Sequence, residues 1–303
     1  MAGRFRRWLF LLLFAGLGSA GAEGLPPIVA IGFYTPVVRD FARQDVEVSL
    51  RFWIEELSRT LKLAYKPVRF YESMAEIRRD MTAGNINFVV GTSVDIAQNF
   101  PVKELADGFS GYNSEPDHLL LVVRRDSGIQ SPADLAGKRV VLMERDKLSE
   151  IYLETLLLQA WGKLDWQRLA PLGYEQRSSK LAHRLFFKQA DAALIYRNGY
   201  DAALALNPQI HEQLRVLEDY SLKIRSPHIG LFSAQVRPEH RSLVTEAAMK
   251  LNGTARGRQV LQIYQAENIV PTRVGDLAPF ERLLETHRAL KPASPTPTKK
   301  AKP

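Results

Sequence analysis

The chain has 303 residues, a hydrophobic fraction of 46% and no cysteine. This length and composition allow one or two hydrophobic cores, and the lack of cysteine excludes disulfides, thiolate metal sites and a cysteine nucleophile. The formal net charge is +8. Nearly all of this excess lies near the two ends, so residues 23–290 are almost neutral and no nucleic-acid-binding domain is predicted.

The first 22 residues have the pattern of a secretory signal peptide. Arg4, Arg6 and Arg7 precede an apolar run, and small residues ending at Ala22 follow it. The run is shorter than the roughly 20 apolar residues that a membrane span needs. We therefore predict cleavage after Ala22 and secretion of the remaining chain. At the other end, residues 291–303 are rich in Pro, Ser and Lys and predict a disordered tail.

Strands and helices alternate in the first part of the exported chain. The predicted elements are a strand at 28–33, a helix with apolar positions from Val46 to Leu61, a strand at 65–71, a short helix at 74–81 and a strand at 88–90. Pro67 places the second of these strands near a sheet edge. This alternation is typical of a parallel sheet with helices on both faces.

A second alternating unit follows from Asp117. The predicted elements are strands at 118–123 and 139–143, a helix from about 149 to 162, a strand at 169–174, a helix around 181–186, strands at 192–196 and 229–233, and helices over 238–290. Pro132 and Gly137 predict a short helical turn before the strand at 139–143, because proline suits a first helical turn and glycine accepts positive φ.

The two units predict two α/β lobes with a cleft between them. We place the first lobe at residues 23–120, the second at 121–225, and a return to the first lobe with C-terminal helices at 226–290. The strands at 118–123 and 229–233 are predicted as the two crossings between the lobes. Lobes of about 100 residues suit usual domain sizes.

No catalytic or metal-binding pattern stands out. The sequence has no nucleophile elbow, P-loop or dinucleotide-binding glycine motif, and its six histidines lack metal-binding spacing. His118 and His228 each begin a predicted crossing strand. They are either neighbours at a hinge or ordinary hydrogen-bonded residues. We predict no enzyme activity, no metal and no cofactor.

Polar residues follow several predicted strands. In an open α/β sheet, ligands bind where carboxyl ends of strands meet helix N-termini. The candidate ligand-binding residues are Tyr34, Thr35, Thr92 and Ser93 in the first lobe, and Arg145, Ser149, Arg177, Ser178, Ser179 and Tyr196 in the second. Ser and Thr at these positions also suit helix N-caps, a solvated arginine is an equal alternative for Arg177, and Tyr196 is also suited to packing.

Three stretches resemble the phosphate/phosphonate-binding branch of the type 2 periplasmic binding proteins. They are "LLLVVRRDSGIQSPADLAGKRVVLM", "FFKQADAALIY" and "GRQVLQIYQAENIVPTRVGDLAPF". The resemblance implies a two-lobed α/β fold in which each lobe is a mixed sheet flanked by helices, with two hinge crossings. One place departs from the family. The turn Glu144–Ser149 stands where members usually carry small hydroxyl residues, and only Ser149 offers a hydroxyl.

The resemblance also implies a function. It predicts a periplasmic substrate-binding component of an ABC transporter that binds a small anion, phosphate- or phosphonate-like, and delivers it to a permease. We expect a monomer without a nucleic-acid partner. An alternative is a periplasmic sensor that presents its closed form to a membrane sensor kinase or chemoreceptor. An enzyme on the same fold is a third alternative, which the export signal and the missing nucleophile disfavour.

Overall fold

A computed structural model describes residues 29–37, 43–61, 65–112, 117–163, 165, 168–224, 228–263 and 266–291. The predicted signal peptide lies outside these residues, and so does the predicted tail except for Lys291. Within the described part of the chain, strands and helices form two mixed five-stranded sheets, a two-stranded ladder and ten α-helices. None of the described helices is long and apolar enough to cross a membrane.

The first sheet, with the helices packed on it, forms the first lobe. Its strands are β1 (Ile31–Tyr34), β2 (Arg69–Tyr71), β3 (Phe88–Thr92), β4 (Leu105–Ala106) and β11 (His228–Ser233), in the order β2–β1–β3–β11–β4. β1 runs parallel to β2 and β3, whereas β11 is antiparallel to β3. β2 is an edge strand, as Pro67 predicts. A ladder of β5 (Gly108–Tyr112) and β12 (Asn268–Thr272) lies beside β11.

Apolar faces of helices close the core of this lobe. Its helices are α1 (Arg43–Leu61), α2 (Met74–Thr82), α3 (Ser93–Asn99), α8 (Pro238–Lys250) and α9 (Ala255–Ile263). The ring of Phe88 lies 4.6 Å from that of Phe109 and 4.7 Å from that of Phe232. These buried rings join β3, β5 and β11 into one core.

The second sheet forms the second lobe. Its strands are β6 (Asp117–Arg124), β7 (Val140–Met143), β8 (Gly173–Glu175), β9 (Ala192–Tyr196) and β10 (Leu214–Ile224), in the order β10–β6–β9–β7–β8. Residues 119–123 are completely buried, and alternate residues join two different apolar clusters. Successive side chains of a strand point to opposite faces, so both faces of this sheet are covered. The covering helices are α4 (Lys147–Trp161), α5 (Ser178–Phe186), α6 (Arg197–Leu206) and α7 (Gln209–Gln213).

The last helix, α10 (Ala278–Leu290), connects the two lobes. It starts beside the first lobe, where Leu277 is buried in that lobe's core, and it packs against both α3 and α4. Phe280, Leu283 and Leu284 of α10 share one apolar cluster with Val94 of α3 and with α4 residues. The two sheets are therefore joined by a continuous apolar seam as well as by the chain crossings.

The two-lobed α/β prediction is confirmed, with corrections in detail. The short turn at Pro132–Leu135 and the positive φ of 71° at Gly137 are as predicted. The helix after β7 begins at Lys147 rather than at about 149, and β8 occupies 173–175 rather than 169–174. The prediction of helices throughout 238–290 is wrong at β12.

The predicted crossing strands lie inside the sheets. Residues 118–123 belong to β6 and residues 229–233 to β11. The chain passes from the first lobe to the second between β5 and β6, and returns between β10 and β11. Both connections include residues outside the described part, at 113–116 and 225–227.

A charged cluster strengthens the seam between α10 and α4. The Glu154 carboxylate lies 2.5 Å from His287 Nε2 and 2.9 Å from Lys291 Nζ. His287 is 8% exposed, so this contact lies at the edge of the apolar seam. Burial acts to raise the pKa of Glu154, but Lys291 and His287 together outweigh burial and lower that pKa below its ordinary value.

We predict that Glu154→Gln lowers the free energy of unfolding by about 1–3 kcal/mol at pH 7, because a charged hydrogen-bonding partner is lost. The pKa of Glu154 is lower in the folded than in the unfolded chain, so its stabilisation is complete above the unfolded value of about 4.3 and disappears as pH falls through the folded value. Urea unfolding at a series of pH values measures this. Glu285→Gln, at an exposed position of α10, is the control. Equal stabilities of both variants at pH 7 would contradict the prediction.

Candidate functional site

The first lobe brings its predicted site residues to one edge. β1 and β3 are parallel neighbours with Phe33 opposite Val90, so both strands end at the same edge. Tyr34–Thr35 and Thr92–Ser93 follow at these ends. His228, the first residue of β11, pairs with Thr92 and lies at this edge too.

The two threonine hydroxyls of this edge are used within the fold. Thr35 Oγ1 donates to the Tyr71 carbonyl oxygen at 2.9 Å. Thr92 is the N-cap of α3: its Oγ1 accepts from the Asp95 backbone N–H at 3.2 Å and donates to the Asp95 carboxylate at 2.5 Å. These residues therefore shape the edge, while Tyr34 is half-buried and Ser93 is buried at the start of α3.

The second lobe also brings its predicted site residues to one edge. β7 lies between β8 and β9 and is parallel to both, with Met143 opposite Glu175 and Val141 opposite Ala193. The ladder continues beyond β7, because the Glu144 N–H donates to the Glu175 carbonyl oxygen at 2.8 Å. The turns after all three strands, which contain Arg145, Arg177–Ser179 and Tyr196, therefore meet at this edge.

The charged turn after β7 contains a buried carboxylate. Asp146, the N-cap of α4, is only 1% exposed. It accepts hydrogen bonds from Ser149 Oγ and, at 3.2 Å, from the Tyr196 hydroxyl. Ser149 is completely buried, and its hydroxyl donates to the Asp146 carboxylate rather than to solvent. Arg145 has a left-handed φ of 56°, and this sharp turn leaves Arg145 exposed beside the buried Asp146.

The start of α5 is packed closely against α6. Arg177 is the exposed N-cap of α5, and among the described residues its side chain has no hydrogen-bond or ion-pair partner. Ser178 Oγ is buried, again without a partner in the described part of the chain. A Cβ at Gly199 would lie 2.6 Å from the Ser178 Cβ, so only glycine allows this approach. Ser179 is half-buried.

Sequence reasoning missed several residues of these edges. Asp146 was in a stretch of four charged residues that suggests solvent exposure, and no pattern in the sequence marks it as buried. Arg197 directly follows β9, so the strand-end rule could have found it. His118 precedes Leu119, which pairs with Tyr196, so it lies at the second-lobe edge. The described residues contain no group of three or more metal-ligating side chains.

The two edges are held near each other. α3 starts at the first-lobe edge and α4 at the second-lobe edge, and these two helices are in contact. α10 contacts both of them. A cleft bordered by the ends of β1 and β3 on one side and of β7, β8 and β9 on the other is the candidate site.

A pocket of about 300 Å³ lies elsewhere, at the opposite edge of the first sheet. Its lining includes Val29 and Ile86, which precede β1 and β3, and also Phe232, Arg237 and His240. The pocket and the carboxyl ends of β1 and β3 thus indicate two different edges of the first sheet as the place where a ligand binds. We assign the site to the strand ends, because helix N-termini and several polar side chains converge there.

Comparison with known families shows the family to which this chain belongs. The profile of the family described as "ABC transporter, phosphonate, periplasmic substrate-binding protein" matches residues 37–277. This chain belongs to that family. The family's described role is to bind a substrate for transport, so the chain is a binding protein of the periplasm and not an enzyme. Its partners are a small molecule and an ABC permease.

Solved structures share the fold at low sequence identity. A binding-protein component of an ABC phosphonate transporter from Pseudomonas aeruginosa has a TM-score of 0.58 and 14% identity, covering 88% of each chain. PhnD1 of Prochlorococcus marinus in complex with methylphosphonate has a TM-score of 0.58 and 13% identity, covering 87% of this chain and 98% of its own. A Xanthomonas citri protein bound to ATP has a TM-score of 0.62 and 12% identity, with the same coverage. Among curated proteins, none matches this chain.

We predict that Tyr196→Phe lowers the free energy of unfolding by about 1.5–3 kcal/mol, because the buried Asp146 carboxylate loses a donor. Chemical denaturation at pH 7 measures the change. Tyr200→Phe is the matched control: Tyr200 lies four residues further on, is buried in α6, and its hydroxyl has no hydrogen bond among the described residues. Equal losses in the two variants would show that the Tyr196–Asp146 hydrogen bond contributes nothing.

Proposed function

We propose that this periplasmic binding protein takes a small anionic solute, of the phosphate or phosphonate kind, in the cleft between its lobes. The observation that carries this proposal is the convergence of five strand ends from two sheets, next to helix N-termini. Backbone N–H groups and the helix dipole at such N-termini favour anions. The arginines at the second-lobe edge favour them further.

The ligands of similar proteins support this class. One structural neighbour binds methylphosphonate and another binds ATP, and both ligands present phosphorus-bound oxygens. The family profile also names phosphonate. Transport is favoured over the sensory alternative, because the matched family is a transport family.

In this proposal the ligand contacts both edges. The residues proposed to line it are Tyr34, Thr35, Thr92 and Ser93 in the first lobe, and Arg145, Ser149, Arg177, Ser178, Ser179 and Tyr196 in the second. The hydroxyl protons of Thr35, Thr92, Ser149 and Tyr196 are donated within the fold. Direct donation to the anion therefore falls mainly to the exposed Arg145 and Arg177 and to backbone N–H groups.

Closure of the lobes completes the proposed cycle. The first lobe comprises the chain before β6 and residues 226–290, and the second lobe extends from Asp117, the first residue of β6, to residue 225. The protein acts as a monomer without a nucleic-acid partner. Ligand contact with both edges favours the closed form, which the permease then recognises. The signal peptide is removed after Ala22.

We predict that phosphate or an alkylphosphonate at a hundred times its Kd stabilises the protein by about 2.7 kcal/mol, which raises its thermal midpoint. A panel of phosphate, methylphosphonate, sulfate, an alkanesulfonate and amino acids tests the ligand class by thermal shift, followed by calorimetric titration. A folded protein that binds none of the phosphorus compounds would contradict the proposal.

We also predict that Ser179→Trp, which fills the second-lobe edge, lowers affinity for the bound anion at least tenfold. Gln235→Trp places the same bulk at an exposed residue lining the opposite pocket and leaves affinity unchanged. Titration of both variants measures this. The reverse pattern would place the ligand in the opposite pocket.

A further inference from the structure

The first sheet has a strand end at the edge opposite the cleft as well. β11 is antiparallel to β3, with Phe232 opposite Phe88, so its carboxyl end lies where β1 and β3 begin. A short turn joins this end to α8, of which Arg237 is the N-cap. The pocket of about 300 Å³ lies at this junction. It is therefore a second place where a strand end meets a helix N-terminus.

The pocket combines an apolar interior with a polar rim. Its buried apolar lining residues are Val29, Ile86, Phe232 and Val244. Its polar lining residues are more accessible, with Gln235 and Arg237 exposed and Asn87 and His240 half-buried. An apolar cavity of about 150 Å³ is large enough to hold benzene. The pocket therefore has room for an aromatic ring with a short polar chain.

The Arg237 guanidinium supplies positive charge to the rim. Its Nη2 donates to His240 Nε2 at 2.6 Å, and it forms no ion pair with a described residue. Because a guanidinium can only donate, His240 Nε2 must accept, and this imidazole is neutral with its proton on Nδ1. The other guanidinium N–H groups of Arg237 have no acceptor in the described part of the chain.

A buried hydroxyl lines the same pocket. Ser233, the last residue of β11, is only 5% exposed. Its Oγ accepts from the Gln235 backbone N–H at 3.3 Å, but the hydroxyl proton has no acceptor among the described residues. Buried polar groups normally have partners, so this hydroxyl indicates that an acceptor binds in the pocket.

The charge of the pocket favours a single negative charge. No described lining residue is acidic. Glu104, whose carbonyl oxygen accepts from Ala234, has its carboxylate paired with Arg78 at 2.8 Å. Glu239 is exposed in the first turn of α8 and is not part of the lining. One guanidinium beside a neutral imidazole matches a carboxylate better than a phosphoryl group, which carries about −1.5 to −2 charges at pH 7.

We propose that this pocket is a second binding site, which takes a small carboxylate with an apolar body, such as an arylalkanoate. The carboxylate accepts hydrogen bonds from Arg237 and Ser233. The apolar body lies against Ile86, Phe232 and the other buried lining residues. Because the pocket lies at the edge of the first sheet away from the cleft, this inference does not rest on the anion proposed for the cleft.

Calorimetric titration of the purified protein with 3-phenylpropionate, 3-phenylpropanol and propionate tests the inference. We expect 3-phenylpropionate to bind with a Kd below about 1 mM. The alcohol lacks the charge and propionate lacks the ring, so each should bind about tenfold or more weakly. Arg237→Gln should weaken 3-phenylpropionate binding by about tenfold or more. Arg241→Gln is the matched control and should leave it unchanged, because Arg241 is also in α8 but does not line the pocket.

Three results would overturn the inference. The first is that 3-phenylpropionate does not bind at about ten times the expected Kd. The second is equal affinity for the acid and the alcohol, which would exclude a role for the carboxylate. The third is an equal effect of Arg237→Gln and Arg241→Gln, which would place the ligand outside this pocket. None of these results bears on the cleft, because methylphosphonate titration of the same protein tests the proposed function separately.

Discussion

The apolar seam formed by α3, α4 and α10 is the constraint on which the candidate site depends. α3 and α4 each begin at the carboxyl edge of a sheet, so their contact brings those two edges together. The buried side chains of Phe280, Leu283 and Leu284 contribute to this seam from a helix that begins beside the first lobe. In the proposed function, closure of the lobes around a ligand is therefore a rotation that keeps this seam packed, because separating the seam would expose apolar surface.

At the second-lobe edge a buried carboxylate lies next to an exposed arginine. A carboxylate at a helix N-cap is stabilised by the helix dipole, and the buried Asp146 occupies that position in α4. The same carboxylate offsets part of the attraction that α4 would have for an anion. In the proposed function, the exposed Arg145 and Arg177 supply that attraction instead. This arrangement accounts for the turn that departs from the small hydroxyl residues usual in the resembling family.

Much of the fold was predictable from the sequence, because hydrophobic period and turn residues identify the central strands and helices. The two strands of the ladder beside the first sheet, β5 and β12, were not predictable. β5 contains Gly108 and Gly111, and β12 contains Pro271, so neither has the composition of a strand. They are strands because they pair with each other across more than 150 residues of chain, and such pairing leaves no local trace.

The candidate site was predictable in position and only partly in chemistry. The strand-end rule located both edges from turns such as Thr92–Ser93 and Arg177–Ser178. It could not show that the Thr92 hydroxyl donates to the Asp95 carboxylate, or that Ser178 is packed against Gly199. Those facts depend on how α3 and α6 pack.

A crystal structure with methylphosphonate bound is the measurement that tests the central claim most directly. The account predicts electron density for the ligand between the strand ends of the two lobes, within hydrogen-bonding distance of Arg145 or Arg177 and near Ser93. Density in the pocket beside Val29 and Arg237, with the interlobe cleft empty, would contradict it.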